Sequence, residues 1–454
     1  MKWLEKFFRP KSIAVIGASR DVHKVGFITL KNLVLAGYTG KIYPINPHAS
    51  SILKRACYSS VLSVPASIDM AVITVPAEQA LRVLKECGKK GIKHIVMITA
   101  GFSEIGDMKR EQELRKIIKQ YGLKVIGPNC LGVLDMNNQL DTLFLPADRL
   151  VRPKKGSISF MTQSGATGST VLDLMAKEKY GFAKFVSYGN AADVTETDLL
   201  EYLGNDKETK VICMYVESIR DGKRFLEIAR NVTKKKPVII LKGGMTKEGA
   251  KATMSHTASL AGSFEIYSGA FKQAGIIQAH NLEDLFNYAK IIEKSIKPKG
   301  RRVQVITNGG GFGILATDYL SMSGLQINEP SKKTLTMLKK SFPATYTVKN
   351  PIDLTGSATS DNYRKAITVC LQDKTIDVLL VILLYQTPQI DTSIVDDLIR
   401  YNNLKKKPLV VISMGGDFTI RHMQTLEEAG VPCFMYPHSA ATAIKILCEY
   451  YIKK

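Results

Sequence analysis

Lys11-Ser-Ile-Ala-Val-Ile-Gly17-Ala-Ser19 is the stretch that decides the fold. A short apolar run closes on a glycine and two small residues, which reads as a buried strand ending in a tight turn. A helix is expected over about 26–36, then the turn Gly37-Tyr-Thr-Gly40 and a second strand, Lys41-Ile-Tyr-Pro-Ile-Asn46-Pro47. Strand, helix and strand in such short succession form a βαβ unit of Rossmann type. The dinucleotide fingerprint is incomplete, because Gly17-Ala-Ser19 has no GxGxxG. Asn46-Pro47 closes the second strand where a dinucleotide site needs a carboxylate for the ribose hydroxyls. A nucleotide-like ligand is expected, and NAD is disfavoured.

The chain beyond repeats this plan. Asp69-Met-Ala-Val-Ile-Thr-Val-Pro76, His94-Ile-Val-Met-Ile-Thr99 and Lys124-Val-Ile-Gly-Pro-Asn129 read as further strands of the first sheet. Each ends in small or polar residues, and in an open parallel sheet that edge is the ligand crevice. Pro153 to Gly156 reads as a linker. Gly156-Ser-Ile-Ser-Phe-Met161, the turn Thr162-Gln-Ser164-Gly165-Ala166-Thr167-Gly168 and a helix over about 169–179 open a second unit. Val211-Ile-Cys-Met-Tyr-Val-Glu217 and Pro237-Val-Ile-Ile-Leu-Lys242 are two of its strands. After the charged hinge Lys297-Pro-Lys-Gly-Arg-Arg302, Val303-Gln-Val-Ile-Thr307 runs into Asn308-Gly-Gly310-Gly311 and a helix over about 314–322. The expected organisation is three consecutive α/β domains, over 1–130, 150–296 and 300–454.

Composition narrows the classes. With 454 residues, 45% hydrophobic and 23% charged, the chain is ordinary globular protein with several cores. No apolar run has transmembrane length and no signal peptide is visible, so a cytoplasmic protein is expected. The seven cysteines include no CxxC pair and read as reduced core thiols; no metal site is expected. The net charge of +22 comes from lysines spread along the chain, without a nucleic-acid motif. Attraction of polyanionic small molecules, an acidic partner subunit or simple solvation accounts for it better than nucleic acid.

One stretch stands apart: Ser255-His256-Thr257-Ala258-Ser259-Leu260-Ala261-Gly262, after the strand Pro237 to Lys242 and the pair Gly243-Gly244. Its histidine has hydroxyls, alanines and glycines around it rather than bulky apolar side chains, and a loop is expected. Imidazole, with an ordinary pKa of about 6.5, can take a phosphoryl group and give it up. The two glycine-rich helix starts, in the second and third units, each present about half a positive charge and free N–H donors. Each would stabilise a phosphoryl dianion by about 1–2 kcal/mol in a partly buried setting. Glu217, at a strand end, is the candidate to orient the ring.

The ordered set of motifs resembles a family. Ile16-Gly-Ala-Ser19, Tyr43-Pro-Ile-Asn-Pro47, Gly127-Pro-Asn-Cys-Leu-Gly132, Gln163-Ser-Gly-Ala-Thr-Gly168, Ser187-Tyr-Gly-Asn190, Tyr215-Val-Glu-Ser218 and Ser255-His-Thr-Ala-Ser259 together look like the NDP-forming acyl-CoA synthetases. The α subunits of archaeal ADP-forming acetyl-CoA synthetases are the branch most resembled, with succinyl-CoA synthetase a more distant relation. Asn308-Gly-Gly-Gly311 and Asn350-Pro-Ile-Asp353 resemble that family's carboxy-terminal ligase domain. The resemblance implies a Rossmann-like CoA-binding domain followed by two flavodoxin-like domains. It implies that His256 carries phosphate with Glu217 as its stabiliser, and that Ser164, Gly165, Ala166, Gly310 and Gly311 hold the phosphate. It implies that Gly17, Ser19, Lys41, Asn46, Pro76 and Gly101 line the cleft for coenzyme A. The chain shows no ATP-grasp domain, so ADP or ATP with Mg2+ is expected mainly on an ATP-grasp β subunit, in an α2β2 assembly. A non-catalytic CoA- or nucleotide-binding regulator is the alternative.

Overall fold

The computed structural model describes residues 2–257 and 263–452, with side chains over 3–252 and 263–452. The chain forms two compact units, Met1–Leu285 and Phe286–Lys454. The first holds two large sheets and the second holds one.

In the first sheet the strands Lys41–Ile45, Ser12–Ile16, Met70–Ile73, His94–Met97 and Lys124–Ile126 lie side by side in that order, all parallel. The second sheet runs Ile277–Ala279, Val238–Lys242, Val211–Val216, Lys154–Thr162 and Gly181–Ser187, also parallel. The third runs Ile352–Asp353, Val303–Thr307, Val378–Ile382, Leu409–Ile412 and Cys433–Phe434. Counted by appearance, each set has the order 2-1-3-4-5. Strand order therefore reverses beside the first strand of each sheet, and a crevice opens there at the carboxyl ends.

Several elements differ from the sequence reading. The strand that opens the second sheet starts at Lys154, inside the expected linker, and a bulge near Ile158 carries the extra residues. Residues 132–141, which the reading leaves between domains, supply Gly132–Asp135 and Leu140–Asp141, antiparallel additions to the second sheet. The helices after the two glycine turns start earlier, at Gly165 and Gly310. Glycine and threonine are poor helix formers and hide a first turn, but the Ser164 hydroxyl accepts from Thr167 N–H and caps the former helix. The histidine stretch also begins as helix rather than loop. Lys247–Thr257 is helical, with His256 in its last turn, and Thr246 Oγ1 accepts from Gly249 N–H at its start. Its alanines and lysines favour the helix. The side chain of His256, and all of Ala258 to Gly262, lie outside the described residues.

The two sheets of the first unit share a core. Ile13, Val15 and Leu30 belong to one buried cluster with Met161, Val186 and Tyr188. The amino-terminal segment is part of it: Leu4, Phe7 and Phe8 are fully buried. Phe8 stacks on Tyr202 at 5.0 Å and Phe7 meets His94 edge-on at 5.3 Å. Burying such a side chain contributes about 1.5–3 kcal/mol, which explains the large apolar residues among the charges at the amino terminus. All seven cysteines are unpaired, and six are buried. No helix among the described residues is long and apolar enough to cross a membrane.

A buried ion cluster joins Gly181–Ser187 to the antiparallel strand beside it, Gly132–Asp135. Lys184 Nζ, with no exposed side-chain surface, lies 3.3 Å from Asp135 and 3.1 Å from Asp206, and also pairs with Glu208. Arg9 reaches Glu208 from the amino-terminal segment at 2.9 Å. Removing the one buried cation leaves three carboxylates crowded together. Lys184→Met is expected to cost about 3–5 kcal/mol in urea unfolding. A loss under about 1 kcal/mol, the level of a surface pair, would contradict this reading.

Candidate active site

A cavity of about 1140 Å³ opens in the unit Met1–Leu285 at the carboxyl ends of both its sheets. Gly17, Ser19, Asn46 and Pro76 line it from the first sheet. Ser164, Gly165, Ala166 and Glu217 line it from the second. The strand-end turns singled out in the sequence thus meet in one space.

The first-sheet end is built to receive anions. The helices Val25–Leu35 and Ala77–Lys90 both start on its wall, and neither has a side-chain cap: Lys24 and Pro76 occupy the cap positions. Their free N–H groups and dipoles are left for a ligand. Gly26, in the first turn of the earlier helix, has no space for a side chain, since a Cβ there would stand 1.9 Å from Gly17 O and 2.9 Å from Thr74 Oγ1. This contact pins the turn after Ser12–Ile16 against the helix start. Asn46 has a structural task as well: its Nδ2 donates to Ala18 O at 2.7 Å, and its Oδ1 accepts from His48 N–H at 2.7 Å. Lys24 and Arg82 add cationic groups to the wall, Arg82 paired with Glu86 at 2.8 Å. Sequence reasoning missed Lys24, Gly26 and Arg82. The signal for Gly26 was a glycine just inside a helix that follows a glycine turn.

The second-sheet end is organised by Gln163. Its Oε1 accepts from Glu217 N–H at 2.9 Å and Ser218 N–H at 3.1 Å, tying the end of Val211–Val216 to the capped start of Gly165–Lys177. Glu217 is 7% exposed. Burial, together with the Glu217 carboxylate beside it, pushes the Tyr215 phenol up to about 12, so the phenol stays protonated beside that carboxylate. A Cβ on Gly243 would lie 2.7 Å from the Tyr215 hydroxyl and 3.5 Å from Glu217 Cγ. Glu217 therefore stands at the root of the segment that leads to His256. Lys242, fully buried beside it, donates to Gly243 O and lies 4.8 Å from the Tyr267 ring. Burial lowers its pKa, and the Glu217 charge opposes that. Cys130 is also on the wall, but burial pushes its thiol up to about 12. It is a neutral packing group there, not a nucleophile.

Two sequence motifs turn out to hold the two sheets of this unit together. A Cβ on Gly189, whose φ is +54°, would lie 2.2 Å from Asn129 O. Asn190 N–H donates to Pro128 O at 3.0 Å and Ala192 N–H to Gly127 O at 2.9 Å. Asn190 Nδ2 donates to Glu104 Oε2 at 2.6 Å, and Arg220 Nη2 donates to Asn190 O at 2.6 Å. The helix Lys247–Thr257 runs close to the short turn Ser103–Ile105, which carries Glu104. Among the described residues no group of three or more His, Cys, Asp or Glu side chains could hold a metal ion.

In the other unit, the helix Gly310–Met322 begins without a side-chain cap. A Cβ on Gly310 would stand 2.8 Å from Asp353 Oδ2, while Gly311 faces open space. A carboxylate from the Asn350-Pro-Ile-Asp353 turn thus already stands near this helix start.

Three domain families match the chain: a CoA binding domain over 11–136, a succinyl-CoA ligase like flavodoxin domain over 155–292 and a ligase-CoA domain over 303–452. The α subunit of acetate–CoA ligase [ADP-forming] II from Pyrococcus furiosus is 39% identical over 98% of this chain and 97% of its own. The chain belongs to the family of ADP-forming acetate–CoA ligase α subunits. An acetate–CoA ligase [ADP-forming] from Methanocaldococcus jannaschii is 41% identical over 98% of this chain, but only 63% of that longer one. Acetyl-coenzyme A synthetase 1 of Ca. Korarchaeum cryptofilum, solved with phosphate and ADP, superposes with a TM-score of 0.93 at 36% identity, covering 100% of this chain and 99% of its own.

For this acetate–CoA ligase α-subunit family member, two residues expected at the CoA cleft are elsewhere. Lys41 is exposed at the start of its strand, and the cavity is at the other end, beyond Ile45. Four residue steps at a strand's rise put it about 13 Å away. Gly101 is not on the wall either: its N–H is taken by the Glu104 carboxylate and its carbonyl by Arg110 Nη1 at 2.6 Å. The neighbouring Thr99 and Ala100 line the cavity instead.

Proposed function

We propose that this chain is the CoA-binding, phosphoryl-carrying α subunit of a cytoplasmic ADP-forming acetate–CoA ligase, acting in the reaction acetyl-CoA + ADP + phosphate ⇌ acetate + ATP + CoA. The observation that carries this reading is the single cavity joining two uncapped helix starts of the first sheet to the Gly165 helix start and Glu217. Coenzyme A lies with its phosphates at the Val25 and Ala77 ends and its thioester toward Gly165. A phosphate oxygen attacks the acyl carbon, the C–S bond breaks, and CoA leaves as the thiolate. Ser164, Gly165 and Ala166 stabilise the phosphate and the developing oxyanion through preorganised N–H donors. One His256 nitrogen then attacks the phosphorus of acetyl phosphate, the P–O bond to the acyl group breaks, and acetate departs. Glu217 stabilises the imidazolium form that carries the phosphoryl group. Gly310 and Gly311 offer a second anion-binding helix start, used on the Gly311 side because Asp353 occupies the other.

ADP takes the phosphoryl group on an ATP-grasp β subunit, which supplies Mg2+ and the nucleotide clamp in an α2β2 assembly. The Pyrococcus furiosus relative is named as one subunit, which supports a separate partner, and the longer Methanocaldococcus jannaschii chain carries further sequence beyond the matched region, which supports a need for another domain. Thermal melting of the full chain tests the ligand. Coenzyme A at about 100 times its Kd is expected to stabilise the chain by about 2.7 kcal/mol, and NADH to leave it unchanged. ATP formation from acetyl-CoA is expected only when both subunits are present. Stabilisation by NADH instead of coenzyme A would overturn the reading.

A further inference from the structure

We propose that Arg220 supplies the cationic side of the inorganic phosphate subsite in the cavity. This rests on the ligase reading above and assigns a specificity-determining residue within it.

Arg220 lies on the cavity wall beyond Glu217 and Ser218, on the loop that leads from Val211–Val216 to the helix Gly222–Thr233. Its guanidinium makes one hydrogen bond, from Nη2 to Asn190 O, and no ion pair with a described carboxylate. That is unlike its neighbours. Arg224 holds Asp198 at 2.7 Å, Arg115 holds Glu111 at 2.9 Å, and Arg82 holds Glu86 at 2.8 Å. The buried Glu196 is close by, but its Oε1 accepts the backbone N–H of Arg220 at 3.3 Å. Burial and the charge of Arg115 both lower the Arg220 pKa, with Glu111 and Glu196 opposing them. A guanidinium in this setting gains when an anion enters the cavity beside it.

Position selects which anion. The phosphates of coenzyme A have the two uncapped helix starts at the first-sheet end. Arg220 stands at the second-sheet end. Gln163 ties its strand to the Gly165 helix start, through Glu217 N–H and Ser218 N–H. A tetrahedral oxyanion there receives helix N–H donors on one side and a planar two-pronged donor on the other. Acetate has one planar carboxylate and does not need both. Phosphate, with more oxygens and more charge, fits the pair of donors.

The test uses the full chain and two variants. Arg220→Gln keeps an amide donor for Asn190 O and loses the charge; Arg220→Lys keeps the charge and loses the fork. Binding of radiolabelled inorganic phosphate is measured with coenzyme A present, and initial rates with the partner subunit give KM values for phosphate and acetyl-CoA. Arg220→Gln is expected to weaken phosphate binding and raise its KM by about ten- to hundredfold, with Arg220→Lys intermediate. Affinities for coenzyme A and acetate are expected to hold. Unchanged phosphate binding in Arg220→Gln, no phosphate binding by the wild type, or a loss falling on coenzyme A or acetate instead overturns the proposal. A wild type that binds phosphate through Arg220 but never turns over acetyl-CoA sinks the ligase reading and leaves the subsite standing.

Discussion

His256→Ala is expected to reduce ATP formation from acetyl-CoA by about 10³-fold or more, to background, because in the proposed relay this imidazole is the group that carries the phosphoryl group to the partner. The described alternatives are poor: burial keeps the Cys130 thiol neutral and the Tyr215 phenol protonated. The defect has a signature that simple unfolding lacks. In the proposed mechanism, attack of phosphate on the thioester uses the Gly165 helix start and the cavity, not the imidazole. The variant is therefore expected to bind coenzyme A with unchanged affinity and still to form acetyl phosphate from acetyl-CoA and phosphate. Loss of coenzyme A binding in this variant would place His256 in the CoA site rather than in the relay.

Gly26→Ala is expected to have the largest effect of any change at the other end of the cavity. The added Cβ would lie 1.9 Å from Gly17 O, 2.7 Å from Gly17 C and 2.9 Å from Thr74 Oγ1. Two of those atoms are backbone and cannot rotate away. Gly17 itself has a φ of +95°, and its N–H is held by Ile45 O at 3.1 Å, so the turn has little freedom to retreat. Overpacking of this kind costs about 1–3 kcal/mol in stability. The greater cost is expected to fall on the ligand, because the helix start must move away from the turn with which it forms the proposed anion site. Coenzyme A affinity is expected to fall by about a hundredfold, or about 2.7 kcal/mol, a size that losing a charge-assisted bond alone would reach. Titration calorimetry on the folded variant measures it directly. An affinity within about threefold of wild type would show that this helix start does not hold the coenzyme, since a displaced charge-assisted bond costs more than that.

Much of this architecture was legible in the sequence, and the misses have physical causes. The parallel strands were readable because fully buried strands are short continuous apolar runs; Met70–Ile73 and Val378–Ile382, each preceded by an aspartate, are examples. The antiparallel strand Gly132–Asp135 was missed, since it is four residues long and one of its pairing partners, Gly181–Ser187, is far away in the chain. The starts of the helices at Gly165 and Gly310 were placed too late because their first turns carry glycines that weaken the local helical signal. The strand-end turns that line the cavity were legible because small and polar residues gather where parallel strands end. Lys41 was expected there on its charge, and the strand carries it at the end away from the cavity. Gly26 and Arg220 were invisible to composition. A 1.9 Å approach at the one, and at the other a guanidinium without an ion pair among the described residues, are facts of three-dimensional packing.

The most direct measurement is the site of phosphoryl labelling. The full-length chain, incubated with acetyl phosphate and digested under mildly alkaline conditions, is expected to yield one acid-labile phosphopeptide by mass spectrometry, with the group on His256. The label is expected to disappear in His256→Ala and to transfer to ADP when the partner subunit is added. An acid-stable label on another residue, or an unlabelled wild type, would contradict the account.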